Sequence, residues 1–162
     1  MWRSPTSWLI FNEEKHIMPA YSHILLAVDF SASTDAVVEQ AVLLRDTMGA
    51  RLSLVHVVEY LQVDLSNELV LPQELELDQE LVELSRRKLK DLADRLQLHD
   101  CDRHVSQGNT RREILALAER EKVDLVVIGS HGRHGMQLLL GSTANAVLHG
   151  APCDVLAVRV KE

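Results

Sequence analysis

The sequence predicts an α/β sandwich: one domain built on a five-stranded parallel sheet with helices on both faces. Three observations carry this. Short runs of apolar, β-branched residues alternate with helix-length segments that bear an apolar stripe. The first two runs are separated by one such segment, a βαβ unit, which implies parallel strands and a right-handed crossover. A glycine-rich loop follows the fourth run directly, at the carboxyl end of a buried strand, where open α/β sheets bind ligands.

Taken in order, His23–Val28 (HILLAV) is a continuous apolar run closed by Asp29, the pattern of a strand buried on both faces. Ser31, Ser33, Thr34 and Asp35 offer N-caps to a helix striped by Val37, Val38, Ala41, Val42, Leu44 and Met48, and Gly49 is placed to end it. Arg51–Val58 (RLSLVHVV) is the second strand. From 59 to 75 periodicity is weak, which predicts an excursion or a short broken helix. From Leu77, the residues Leu81, Leu84, Leu89, Leu92 and Leu96 roughly follow helical spacing. Acids at the start of that helix, followed by Arg86, Arg87, Lys88 and Lys90, suit the helix dipole. Asp102–Ser106 is a less apolar strand, expected at an edge. Thr110-Arg111-Arg112-Glu113 reads as a capping box ahead of Ile114, Leu117 and Ala118. Val123–Ile128 (VDLVVI) is the fourth strand, and a helix begins near Ser142. Asp154–Val160 is the last strand, with Leu156, Val158 and Val160 on a face expected to pack on the core.

Composition narrows the function. The chain has 162 residues, 46% apolar and 25% charged, the balance of one folded domain. Only 4% are aromatic, and the formal charge is −7, which disfavours stacking platforms and phosphate-backbone binding, so no nucleic-acid partner is expected. That charge is local. Seven acids and no Lys or Arg lie between Asp64 and Glu83, so the rest of the chain is neutral; the acidic run is a solvated helix face or a partner surface. No apolar run is long enough to span a bilayer, so no membrane partner is expected. Cys101 and Cys153 show no C-x-x-C spacing, which points to a reducing, cytoplasmic setting. Residues 1–17 hold Trp2, Trp8 and Phe11 but no signal-peptide pattern, and Met18 follows; 1–17 are expected to be a dispensable leader and 18–162 the domain.

The chemistry is concentrated between Gly129 and Thr143. Gly129, Gly132 and Gly135 let a backbone approach a phosphate closely. Gly141-Ser142-Thr143 opens a helix whose first-turn N–H groups and partial positive charge suit an anion, with two hydroxyls as further donors. The alternative is that the glycines only make turns and Ser142 is an N-cap. There is no Walker motif, and the loop is G-x-x-G-x-x-G rather than the dinucleotide G-x-G-x-x-G. His131 and His134 lack an acidic or cysteine companion in the segment, so no metal site is expected there. His56 reads as a core or sheet-face histidine. Cys153 reads as a small buried residue without an activating base.

The chain resembles the universal stress proteins, from Tyr21 to Val160. The segments that carry the resemblance are ILLAVDFS (Ile24–Ser31), LVHVV (Leu54–Val58), VDLVVIGSHG (Val123–Gly132), LLGSTANAVL (Leu139–Leu148) and APCDVLAV (Ala151–Val158). Nucleotide-binding members carry G-x-x-G, nine residues, then G-[ST]; here Gly129 and Gly132 are followed after eight residues by Gly141-Ser142, one residue shorter. The resemblance implies strand order 3-2-1-4-5 and an ATP site, with Mg or Mn carried in by the phosphates. Asp29, with Ala27 and Val28 beside it, and Val57 would meet adenine. Ile128, Gly129 and Gly132 would meet ribose and phosphate, and Gly141, Ser142 and Thr143 the phosphates, with His131 beside the nucleotide and Arg133 or His134 at the rim. Asp29 is alternatively a cap for the following helix. The resemblance also implies a homodimer through the last strand, Asp154 to Val160. Three functions follow: an ATP-binding stress-response sensor or adaptor, a slow ATPase on the same site, or a dimeric stress protein that binds no nucleotide.

Overall fold

The computed structural model of the chain describes residues 21–59, 72–130 and 140–159, those at 72–76 by their backbone alone. Its strands are β1 (His23–Ala27), β2 (Arg51–Val58), β3 (Asp102–Gln107), β4 (Leu125–Gly129) and β5 (Asp154–Val158). They alternate with α1 (Thr34–Met48), α2 (Pro72–Arg95), α3 (Thr110–Arg120) and α4 (Ser142–Gly150). Every strand pair is parallel and the order is β3-β2-β1-β4-β5, as the sequence and its resemblance lead one to expect.

The central strand β1 is buried on both faces because consecutive side chains point into different cores. Ile24 and Leu26 join Leu54 and Val127 beneath Val37, Val38 and Ala41 of α1 and Leu89 and Ala93 of α2. Leu25 joins Val55, Val126 and Ile128 beneath Ile114 and Leu117 of α3 and Ala144 and Val147 of α4. Two helices therefore cover each face, the outcome of right-handed crossovers that run outward from β1 to β3 and then back past β1 to β5. Removal from water of each such aliphatic side chain is worth about 1.5–3 kcal/mol. Gly49 ends α1 at φ +65°, the left-handed conformation that glycine adopts without a Cβ penalty.

At the amino end of the sheet, Asp124 accepts from the amides of Ser22 (2.7 Å) and His23 (2.9 Å) and from the Ser22 hydroxyl. The Ser22 hydroxyl and amide hold the Asp124 carboxyl below its ordinary range. His23 is buried, with Nδ1 3.2 Å from the Glu121 carbonyl and Nε2 2.7 Å from the Ser53 hydroxyl. Because a carbonyl only accepts, the proton of the neutral ring sits on Nδ1. Burial pushes this imidazole below its usual pKa, and the Arg51 guanidinium beside it acts in the same direction.

Three expectations are corrected. The leucine series of α2 is not one stripe: Leu77 and Leu84 are exposed, while Leu89 and Leu92 are buried with Ala93. Leu84 lies about 140° around the helix from Leu89, and the buried Ser85, four residues before Leu89, takes the inward position there instead. The cap of α3 is Asn109, one residue before the expected capping box; its side chain accepts from the Arg112 amide at 3.1 Å, leaving Thr110 inside the helix. On β5, Leu156 does not pack on the core. It is 37% exposed, while Val155 and Ala157 pack against the α3–α4 side and Val158 against the α1 side. The reason is coverage: α1 lies over β4, β1 and β2, and α4 is the helix beside β5. Val160 lies outside the described residues.

Candidate functional site

A cleft of about 720 Å³ opens at the carboxyl ends of β1, β2 and β4. This is the point where the chain's crossovers reverse direction between β1 and β4, so the first residues after the two strands diverge to opposite faces and leave a crevice. Helices α1, α3 and α4 all begin at its border, contributing Thr34, Thr110 and Ser142.

The floor is set by how the β1–β2 ladder ends. The register runs as far as Ala27 opposite Val55, and the Val28 amide donates to the Val55 carbonyl at 2.8 Å. The next bond of a parallel ladder would take the Val28 carbonyl to the Val57 amide. Instead that carbonyl accepts from the ring of His56, Nδ1 to O 2.7 Å. Peptide groups alternate sides along a strand, and the Val58 carbonyl is on the β3 side, accepting from Gly108 at 2.9 Å. Val57 therefore turns its N–H and C=O to the β1 side, into the gap between the diverging tips.

Asp29 follows at once. Its Oδ1 accepts from the Ser31 amide at 2.9 Å and from the Thr34 hydroxyl at 3.2 Å, an arrangement that shapes the turn into α1. Ser33, at the N-cap of α1, makes no side-chain cap bond. Phe30 sits at φ +55°, a conformation that a bulky L-residue adopts at a cost of roughly 1–2 kcal/mol. Its ring rests on His56 with centroids 4.4 Å apart, and the Lys88 ammonium lies 5.7 Å from the ring centre.

The opposite wall is the start of α4. Ser130, at the end of β4, donates to the Val158 carbonyl at 2.8 Å and accepts from the Gly141 amide at 2.7 Å, which fixes the helix start beside the strand end. Gly141 is the N-cap and supplies no side-chain cap, and the first intrahelical donor is Asn145, at 2.8 Å from the Gly141 carbonyl. The amides of Ser142, Thr143 and Ala144 thus have no acceptor within the helix, and all three residues line the cleft. The arrangement can hold an anion at α4 and a planar hydrogen-bonding group at the Val57 peptide edge.

Of the residues singled out in the sequence, Ala27, Val28, Asp29, Val57, Ile128, Gly129, Gly141, Ser142 and Thr143 all line this cleft. His131, Gly132 and Arg133 lie outside the described residues, as does His134. Asp29 borders the cleft, and it does not cap α1, whose N-cap is Ser33, but shapes the turn that leads into it. Ser142 is not the N-cap. Sequence reasoning missed Phe30 and Lys88; His56, read as a core or sheet-face histidine, is half-buried, hydrogen-bonded to the Val28 carbonyl, and also borders the cleft. Cys153 is a free thiol, and burial pushes its pKa up, away from a nucleophile's range. Among the described residues no group of three or more His, Cys, Asp or Glu is placed to hold a metal, and no helix is long and apolar enough to cross a membrane.

Comparison with known proteins agrees with this architecture. Residues 20–159 match the sequence model of the universal stress protein family. Universal stress protein A homolog 1 of Coxiella burnetii is 38% identical over 142 residues, which cover 88% of this chain and 99% of that relative. The structure of universal stress protein UspA from Lactobacillus plantarum is similar with a TM-score of 0.72 and 25% identity, over 86% of this chain and 98% of that one. A universal stress protein solved in complex with cAMP has the same fold, with a TM-score of 0.63 and 22% identity over 88% of this chain and 99% of that one. With both its sequence and its strand order accounted for, the chain belongs to the universal stress protein family and shares that family's role in stress response.

Proposed function

We propose that this protein is a cytoplasmic, ATP-binding member of the family that acts as a stress-response sensor or adaptor. The observation that supports it is the presence, in one cleft, of the Val57 peptide edge and the uncapped first turn of α4. A peptide N–H beside a C=O complements the ring-nitrogen acceptor and amino donor on one edge of adenine. The amides of Ser142, Thr143 and Ala144, with the two hydroxyls, complement phosphate at the positive end of the helix dipole. Asp29 accepts from the ribose or base donors, and Ile128 and Gly129 meet ribose and phosphate. Mg or Mn enters with the phosphates rather than on protein ligands.

Mass spectrometry of small molecules released from purified protein, followed by calorimetry with ATP, tests this reading; no released nucleotide and no titratable binding would overturn it. Cyclic AMP belongs in the calorimetric panel, because a protein of the same fold was solved with it. Single-turnover hydrolysis distinguishes a sensor from a slow ATPase. The same reading includes a homodimer through Asp154 to Val160. It is supported by the position of β5 at the sheet edge and by the exposure of Leu156 on β5 and Leu148 on α4.

A further inference from the structure

We infer that His56 is a positioning residue, a side-chain clasp that keeps the Val57 peptide edge open for the base. Two donors compete for one acceptor. The Val28 carbonyl is where the β1–β2 ladder would take its next bond, from the Val57 amide, yet the register stops at Ala27 opposite Val55. His56 Nδ1 lies 2.7 Å from that carbonyl, and a carbonyl only accepts, so Nδ1 carries the proton and donates. His56 and Val57 are adjacent, so the ring supplies from the strand's own face what the next amide would have supplied from its edge. The Phe30 ring, 4.4 Å from the imidazole, backs the clasp from the cleft side. With the carbonyl taken, the Val57 N–H and C=O stay directed into the cleft. Without the clasp, the Val57 amide is the donor that the parallel ladder brings to the Val28 carbonyl, the ladder extends by one bond, and the edge is lost.

This rests on the nucleotide reading for its ligand but not for its geometry, and the test separates the two. Asparagine places its amide nitrogen where Nδ1 stands, whereas leucine keeps bulk and removes the donor. His56→Leu is expected to slow amide exchange at Val57 and to weaken ATP about tenfold or more in calorimetry. It should leave binding of inorganic tripolyphosphate, which has no base, unchanged. His56→Asn is expected to restore both Val57 exchange and ATP affinity toward wild type. Equal Val57 exchange in wild type and His56→Leu would overturn the clasp, as would equal loss of ATP and tripolyphosphate. Nitrogen NMR of the wild type provides a readout that survives a folding defect in the leucine variant: the proton must be on Nδ1, and a ring protonated on Nε2 alone would overturn the proposal. Wild-type protein that binds no ATP would overturn the nucleotide reading alone, because Val57 exchange would still respond to the leucine.

Discussion

Asp29 offers the sharpest separation of architecture from binding, because one of its oxygens has a defined structural task. Its Oδ1 accepts from the Ser31 amide at 2.9 Å and the Thr34 hydroxyl at 3.2 Å. Asparagine keeps a carbonyl oxygen for both bonds, so Asp29→Asn should cost clearly less stability than removal of the acceptor. Alanine removes the acceptor altogether. Losing one bond to a backbone amide and a second, longer one to a hydroxyl should cost about 2 kcal/mol in total, and for a chain of this size that lowers Tm by about 4–8 °C. Binding should divide the variants differently. In Asp29→Asn the second oxygen becomes an amide that only donates, so ATP affinity should fall about tenfold or more although the fold is intact. Thermal denaturation gives the first comparison and calorimetry the second. If asparagine destabilises as much as alanine, the turn depends on charge rather than on the acceptor geometry, and the structural half of the argument is refuted. If asparagine binds ATP as well as wild type, the carboxylate has no part in the site.

Three further outcomes are expected. His23 is held neutral by burial in the fold but takes a proton freely near its ordinary pKa of about 6.5 when unfolded, so the unfolded state binds more protons and stability falls as pH drops from about 7 to 5; His23→Gln should show a shallower decline in urea unfolding over that range, and an unchanged slope would acquit this residue. Gly132→Val should weaken ATP by roughly tenfold while leaving Tm unchanged, because a branched side chain replaces the close approach a glycine allows; unchanged calorimetric affinity removes Gly132 from the phosphate side. Sedimentation at micromolar concentration should give a species of twice the 18.2 kDa chain mass, reduced to one chain by Leu156→Lys, and a wild-type species near 18 kDa ends the dimer proposal.

The framework of the fold was legible because it depends on properties carried by single residues. An apolar run such as His23–Val28 has to be buried on both faces, and a helix such as α1 announces its start with small polar residues and its end with Gly49. What was not legible depends on which neighbour arrives. The helix spacing of Leu77, Leu81 and Leu84 is sound, but the residues that meet the sheet are set by where α2 lands, and the buried Ser85 rather than Leu84 takes the inward position one turn before Leu89. Leu156 has the pattern of a core residue, but among the described residues α4 is the helix that packs on β5 and it lies on the other face, which leaves Leu156 exposed.

The site divides along the same line. Glycines and hydroxyls at Gly129, Gly141, Ser142 and Thr143 are visible in a sequence because they are needed where backbone comes close to something. The peptide edge of Val57 has no such mark. A valine in a strand looks like packing, and its side chain does pack against the α3–α4 core. Its contribution to the cleft comes from its N–H and C=O, which every residue but proline possesses. Those groups matter because the ladder stops one bond early, and it stops because Val28 turns its carbonyl to a side chain on the neighbouring strand. The information is therefore in His56, a residue whose polarity within RLSLVHVV is plain but whose partner lies 28 positions away on β1. A polar side chain inside a buried strand has to find an acceptor or donor at the strand's own level, and near a strand end the acceptor it finds is one that the ladder would otherwise have used. By that reasoning the histidine and the open edge beside it are one feature of the cleft that the reversal between β1 and β4 opens.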